Sequence, residues 1–79
     1  MKIKITLKAW LPKLWDGEKE RWVEVPEGTT CESALEAQGI KHKEIPRFGF
    51  VSLNGKRVLI DGELHDGDEM NVYPRMNGG

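Results

Sequence analysis

Lys2-Ile3-Lys4-Ile5-Thr6-Leu7-Lys8-Ala9-Trp10 decides the fold. Ile3, Ile5, Leu7 and Ala9 recur at period two against Lys2, Lys4, Thr6, Lys8 and Trp10. That alternation marks a strand with one covered and one solvated face. Leu11 to Lys19 contains Pro12 and Asp16-Gly17, turn residues that reverse the chain. Residues 20–25 alternate again, with Arg21, Val23 and Val25 opposed to Glu20, Trp22 and Glu24. The two segments form a hairpin with a long connection.

Pro26 and Gly28 close the second strand. Thr29 stands three residues before Glu32, the spacing of a capping box. Cys31, Ala34, Leu35 and Gln38 share one helical face, and Gly39 is placed to end the helix. A helix this short must pack on the sheet to persist. From Ile40 to Gly49 no period holds, and Pro46 and Gly49 mark a loop. Phe50 to Leu53 is a short strand with Val51 and Leu53 on one side. Asn54-Gly55 is a two-residue hairpin turn, and Lys56 to Ile60 returns. Asp61-Gly62 and Asp66-Gly67 flank Leu64, an isolated apolar residue that plugs the core. Residues 69–73 form the last strand, with Met70 and Val72 opposed to Asn71 and Tyr73. Pro74 lacks an N–H, so pairing is expected to stop there.

The order is strand, strand, helix, strand, strand, strand, an α+β arrangement. Parallel pairing of the first and last strands at the centre of a mixed five-stranded sheet gives the β-grasp, or ubiquitin-like, topology. The expected core is Ile3, Ile5, Leu7, Val23, Val25, Leu35, Leu53, Leu64, Met70 and Val72. Residues 1–73 read as one domain and 74–79 as a flexible tail ending in Gly78-Gly79. By parity Trp10, Trp22 and Tyr73 turn to the open sheet face, where they read as a docking surface. Trp15 has no assigned role.

Composition narrows the function. Twelve Lys and Arg against thirteen Asp and Glu leave no basic excess for nucleic acid or an anionic membrane. Cys31 is the only cysteine, which excludes a disulfide framework and four-cysteine iron–sulfur ligation and fits a reducing, cytoplasmic setting. No signal peptide or membrane-spanning run is expected. Cys31 reads as a packed thiol, and His42 and His65 read as surface histidines without partners for zinc. Glycines in the acidic stretch 61–69 are misplaced for a calcium loop. No bound cofactor, metal or internal catalytic constellation is expected.

The remaining reactive group is the carboxylate of Gly79, reached through a backbone without side chains at Gly78. Chemistry there needs activation by another protein, by ATP-dependent adenylation followed by attack of a sulfur or nitrogen nucleophile. The protein is then a carrier and not an enzyme.

Leu53-Asn54-Gly55-Lys56-Arg57-Val58, Leu64-His65-Asp66-Gly67-Asp68-Glu69-Met70, Tyr73-Pro74 and Gly78-Gly79 together resemble the ThiS/MoaD-like sulfur carriers, and especially the small subunit of molybdopterin synthase. The resemblance implies adenylation of Gly79 by an E1-like enzyme and conversion to a thiocarboxylate. It implies a sulfur donor of the cysteine desulfurase or rhodanese type, with ATP consumed by the activating partner. Sulfur would pass to a precursor on a large synthase subunit, or on a thiazole synthase in thiamine synthesis. The Pro-x-x-x-Gly-Gly ending looks closer to the molybdopterin branch. Tyr73, Pro74, Met76, Trp10 and Trp22 are the expected partner-binding residues. Arg75 and Met76 stand where the family commonly has proline and a small apolar residue, and Arg57 stands at a site that is often apolar. A protein modifier joined to lysines and a non-covalent β-grasp interaction module are the alternatives.

Overall fold

A computed structural model describes residues 1–75. The alternation at the N-terminus is realised in β1 (Lys2–Leu7), where Ile3 and Ile5 are fully buried and Leu7 nearly so. The strand stops at Leu7 and does not continue to Trp10, because Ala9 takes a left-handed φ of 54°. Trp10 then caps a 3-10 turn, Leu11–Trp15, with Pro12 as its second residue. Leu11 and Trp15 enter the core, and Ala9 is exposed.

Trp15 thus acquires a role. Its indole N–H donates to the Gln38 carbonyl at 3.1 Å, at the end of the helix. The Arg21 guanidinium lies 3.9 Å from the centre of its ring and also bonds Glu18 and the Gln38 side chain. Cation–π contact and hydrogen bonds therefore pin the long connection to the helix.

Strand β2 (Glu20–Glu24) pairs antiparallel with β1. Helix α1 (Cys31–Ala37) follows, seven residues or about two turns. Its cap is Thr30, not Thr29: Thr30 Oγ1 accepts from the Ser33 N–H at 3.2 Å. The choice between adjacent threonines is made by a distant bridge, Thr30 to Glu63, compatible with the extended backbone a cap requires. Thr29 instead donates its hydroxyl to Pro26 and closes the preceding turn. The amides of Cys31 and Glu32 are satisfied by the Gly62 and Ile60 carbonyls. Gly39, at φ 82°, ends the helix as expected.

Residues 40–49 are not plain loop. Ile40 is buried, a 3-10 turn spans His42–Glu44, and β3 (Phe48–Leu53) begins two residues ahead of expectation. Strand β4 (Lys56–Val58) is shorter than the expected return to Ile60. Strand β5 (Glu69–Pro74) completes a sheet of order β2-β1-β5-β3-β4, with β1 and β5 parallel at its centre. This is the β-grasp. Leu64 plugs the core as expected, whereas Leu53 is only half-buried.

The turns before β4 and before β5 are joined by side chains. Asn54 donates through Nδ2 to Asp68 Oδ1 at 2.8 Å and accepts from the Glu69 N–H at 2.9 Å. Asp68 Oδ2 accepts from the His65 N–H at 2.8 Å. Asn54 thus does two jobs: it adopts a φ of 51° in the hairpin turn and locks that turn to the start of β5. The two hydrogen bonds to the Asp68 carboxylate are charge-assisted, and bonds of that kind contribute about 1.5–3 kcal/mol each when both partners are held.

Candidate functional site at the root of the C-terminal tail

Met76, Gly78 and Gly79 lie outside the described residues, so the geometry concerns the ground from which they depart. That ground is built by β3 and β5. Phe50 pairs with Tyr73 and Phe48 with Pro74, and the register shifts between them to accommodate Gly49. The ladder therefore takes in Pro74, one residue past the expected strand, and ends there as expected. Proline removes a donor but keeps its carbonyl, and the bulge lets the ladder reach it. The next amide, Arg75 N–H, donates to the Arg47 carbonyl. Arg47 holds a left-handed φ of 61° as it makes this contact.

Gly49 is required here for lack of space. A Cβ on it would sit 2.6 Å from the Pro74 carbonyl carbon and oxygen and 2.7 Å from the Tyr73 oxygen. Above this crossing the Phe50 and Tyr73 rings stack at 4.7 Å with 15° between planes. Arg57 lies over Phe50, its guanidinium carbon 4.6 Å from the ring centre. Phe48, Gly49, Phe50, Arg57, Pro74 and Arg75 line a groove of about 390 Å³.

The expected aromatic surface is only partly assembled. Tyr73 and Pro74 sit at the tail root. Trp22 pairs with Lys4 on β2 and is 57% exposed, but Lys4 pairs in turn with Glu69, four residues from Tyr73. Strand spacing then separates Trp22 from Tyr73 by about 16 Å. Trp10 lies off the strand altogether, on the 3-10 turn. Phe50, Arg57 and Gly49 are the neighbours of Tyr73 that sequence reasoning missed. The signal was present for Phe50: with Val51 and Leu53 facing inward, period two puts Phe50 on the open face.

Cys31 is fully buried, and burial, reinforced by the negative charge of Asp68, pushes its thiol up to about 11. Its protonated form is favoured by the fold, so in the interval between about pH 9 and pH 11 the unfolded chain binds fewer protons than the native one. Stability is therefore intact below about pH 9 and falls above it, by up to about 3 kcal/mol. Urea midpoints across this interval should fall less steeply in Cys31→Ala; parallel slopes would refute the thiol's part. His42 lies 3.2 Å from Glu32 and packs against Phe48, more enclosed than a free surface histidine, while His65 is exposed. Among the described residues no cluster of three or more His, Cys, Asp or Glu side chains could hold a metal ion. No helix among them is long and apolar enough to cross a membrane.

Solved structures share this architecture. SAMP1 from Haloferax volcanii is 26% identical over 100% of both chains, with a TM-score of 0.78. A Pyrococcus furiosus protein assigned as molybdopterin converting factor, subunit 1, is 28% identical over 96% of this chain and 99% of its own, with a TM-score of 0.74. Molybdopterin-converting factor from Helicobacter pylori 26695, a complex of subunits 1 and 2, contains a chain 19% identical over 100% of both, at a TM-score of 0.65, a likeness of fold alone. No curated protein matches the chain. The pattern described as Mut7-C ubiquitin matches residues 3–78. With nearly its whole length inside that pattern and a ThiS/MoaD-like β-grasp as its body, the chain belongs to the Mut7-C ubiquitin family.

Proposed function

We propose that the protein is a sulfur carrier whose Gly79 carboxylate is the covalent site and whose Gly78 gives it access to narrow clefts. The observation that carries this reading is the pinned root: β5 is held through the Arg75 amide, and Gly78-Gly79 stand a few residues beyond it. The pairing at Pro74 shortens the free reach, since residues 76–79 span at most about 14 Å when extended. A tail of that length reaches a cleft only when the body is docked beside it. Tyr73 and Pro74 form the docking ground at the root, with Met76, Trp10 and Trp22 contacting the partner outside it.

The chemistry proceeds on a partner of E1-like type. The Gly79 carboxylate attacks the α-phosphorus of ATP and releases pyrophosphate. Hydrosulfide then adds to the acyl carbon, and the bond to AMP breaks with its electron pair, leaving a thiocarboxylate. A persulfide donor of the cysteine desulfurase or rhodanese type also needs a thiol to cleave the acyl disulfide. The 28% identity with the Pyrococcus furiosus protein supports delivery to a molybdopterin precursor on a large synthase subunit over delivery to thiazole synthase. In this scheme the protein binds no cofactor of its own.

Incubation with the activating enzyme, ATP and sulfide should raise the intact mass by about 16 Da, sulfur for oxygen, on a protein whose last residue is Gly79. An unchanged mass, or full sulfur delivery after Gly79 is deleted, would refute the assignment. Similarity to SAMP1 favours one second reading, a modifier joined to lysines after the same adenylation. That reading alone yields high-mass adducts in cell extracts that vanish when Gly78-Gly79 is removed.

A further inference from the structure

The charges of this chain are sorted by position. Residues 45–60 and 70–79 contain four of the twelve basic residues, Arg47, Lys56, Arg57 and Arg75, and none of the thirteen acids. The rest of the chain is correspondingly acidic, so the near-zero net charge hides a local cationic region. The fold brings three of these four residues to the tail root. Arg57 and Arg75 flank the 390 Å³ groove, and Arg47 holds the Arg75 amide. All three are exposed, and among the described residues none has a carboxylate within ion-pair distance. The chain pairs Lys4, Arg21 and Lys41 with glutamates elsewhere.

The groove also has an apolar side. Phe48, Phe50 and Pro74 contribute to its lining, and Arg57 lies over the Phe50 ring, a cation–π contact that restrains the guanidinium at the groove. A guanidinium so held presents its donors to a carboxylate with less ordering cost than a free lysine would. From this geometry we infer that the groove docks an acidic segment of a partner protein, with carboxylates on Arg57 and Arg75 and an apolar side chain between Phe48 and Pro74. Charge complementarity selects the occupant: a basic or neutral segment leaves the guanidiniums without counter-charges, and a second copy docked symmetrically through this groove would present the same cationic surface to itself. Among the described residues the groove is lined from Phe48 to Arg75, and the inference does not depend on chemistry at Gly79.

The test uses the full chain, labelled with ¹⁵N, and two blocked peptides, Asp-Glu-Leu-Asp-Glu and its neutral isostere Asn-Gln-Leu-Asn-Gln. The acidic peptide should shift the amides of Phe48 to Phe50, Arg57, Tyr73 and Arg75, and the neutral one should not. Arg57→Gln and Arg75→Gln should each weaken binding about three- to fivefold, and Lys43→Gln should leave it unchanged. Raising salt from about 0.05 M to 0.5 M should weaken it severalfold. Equal shifts from both peptides, shifts confined to other strands, or loss of binding equal in Lys43→Gln would overturn the proposal. Inorganic phosphate at the same concentration serves as the last arm. If it displaces the peptide completely, the groove is a simple anion site and the proposal fails.

Discussion

Gly49→Ala should destabilise the protein by about 2–4 kcal/mol and release the tail root, although it adds one methyl group to a partly exposed strand. The new Cβ would lie 2.6 Å from backbone atoms of Pro74. No rotamer change relieves a clash between a Cβ and a main chain, so β3 and β5 must separate at their ends. Overpacking of this kind typically costs about 1–3 kcal/mol. Loss of the Phe48–Pro74 pairing and of the Arg47–Arg75 hydrogen bond adds to it. Gly39→Ala makes the right comparison, because Gly39 has a φ of 82° but nothing within 4 Å of a built Cβ. It should cost about 1 kcal/mol, from backbone strain alone. Urea denaturation measures both, and amide exchange at Arg75 should accelerate only in Gly49→Ala. If Gly49→Ala proves as mild as Gly39→Ala, the close crossing at the root is not a real constraint. Under the proposed function, activation of Gly79 should decline with the released root even where the folded fraction is matched.

Trp15→Ala should cost about 4 kcal/mol, the largest loss expected from any tryptophan in the chain. Trp15 is 7% exposed, so truncation removes a buried indole, leaves a cavity and deprives the Gln38 carbonyl of its donor. Arg21 loses the ring it rests on. For a domain of this size the total stability is about 4–12 kcal/mol, so much of it disappears. A melting temperature lower by about 20 °C or more is the expected reading. Trp22→Ala, on the exposed edge, should change stability by less than about 0.5 kcal/mol. A reversed order of the two variants would show that the 3-10 turn does not anchor the helix end. Trp15→Phe should recover most of the packing while leaving the Gln38 carbonyl without its donor.

The contrast between these tryptophans marks how far the sequence could be read. The strands β1 and β5 were legible because each has one covered and one solvated face, and period two survives in the residues themselves. The Asn54-Gly55 turn and the Leu64 plug were legible for similarly local reasons. Which tryptophan is buried was not. The answer depends on the left-handed turn at Ala9, a residue type that rarely adopts it, so parity carried Trp10 one step too far along β1. Thr29 and Thr30 both qualify as caps by composition, and only the bridge to Glu63 separates them. At the site, the terminal glycines and Tyr73-Pro74 stood out. The need for Gly49 did not, because the clash it avoids involves residues 24 and 25 positions away in the chain, and no local pattern encodes such a crossing. Gly49 read as a loop breaker when it was in fact the bulge inside a strand.

The central place of β5 has a consequence for how the protein is made. Hairpins β1–β2 and β3–β4 touch the sheet only through β5, which pairs with β1 on one side and β3 on the other. A ribosome delivers residues 69–74 after every other element. Until they emerge, the two hairpins have no common strand and the apolar sides of Ile5 and Val51 have no Met70 or Val72 to close on. The folded body is therefore completed only when β5 joins it, and a chain cut short before β5 leaves the sheet in two halves.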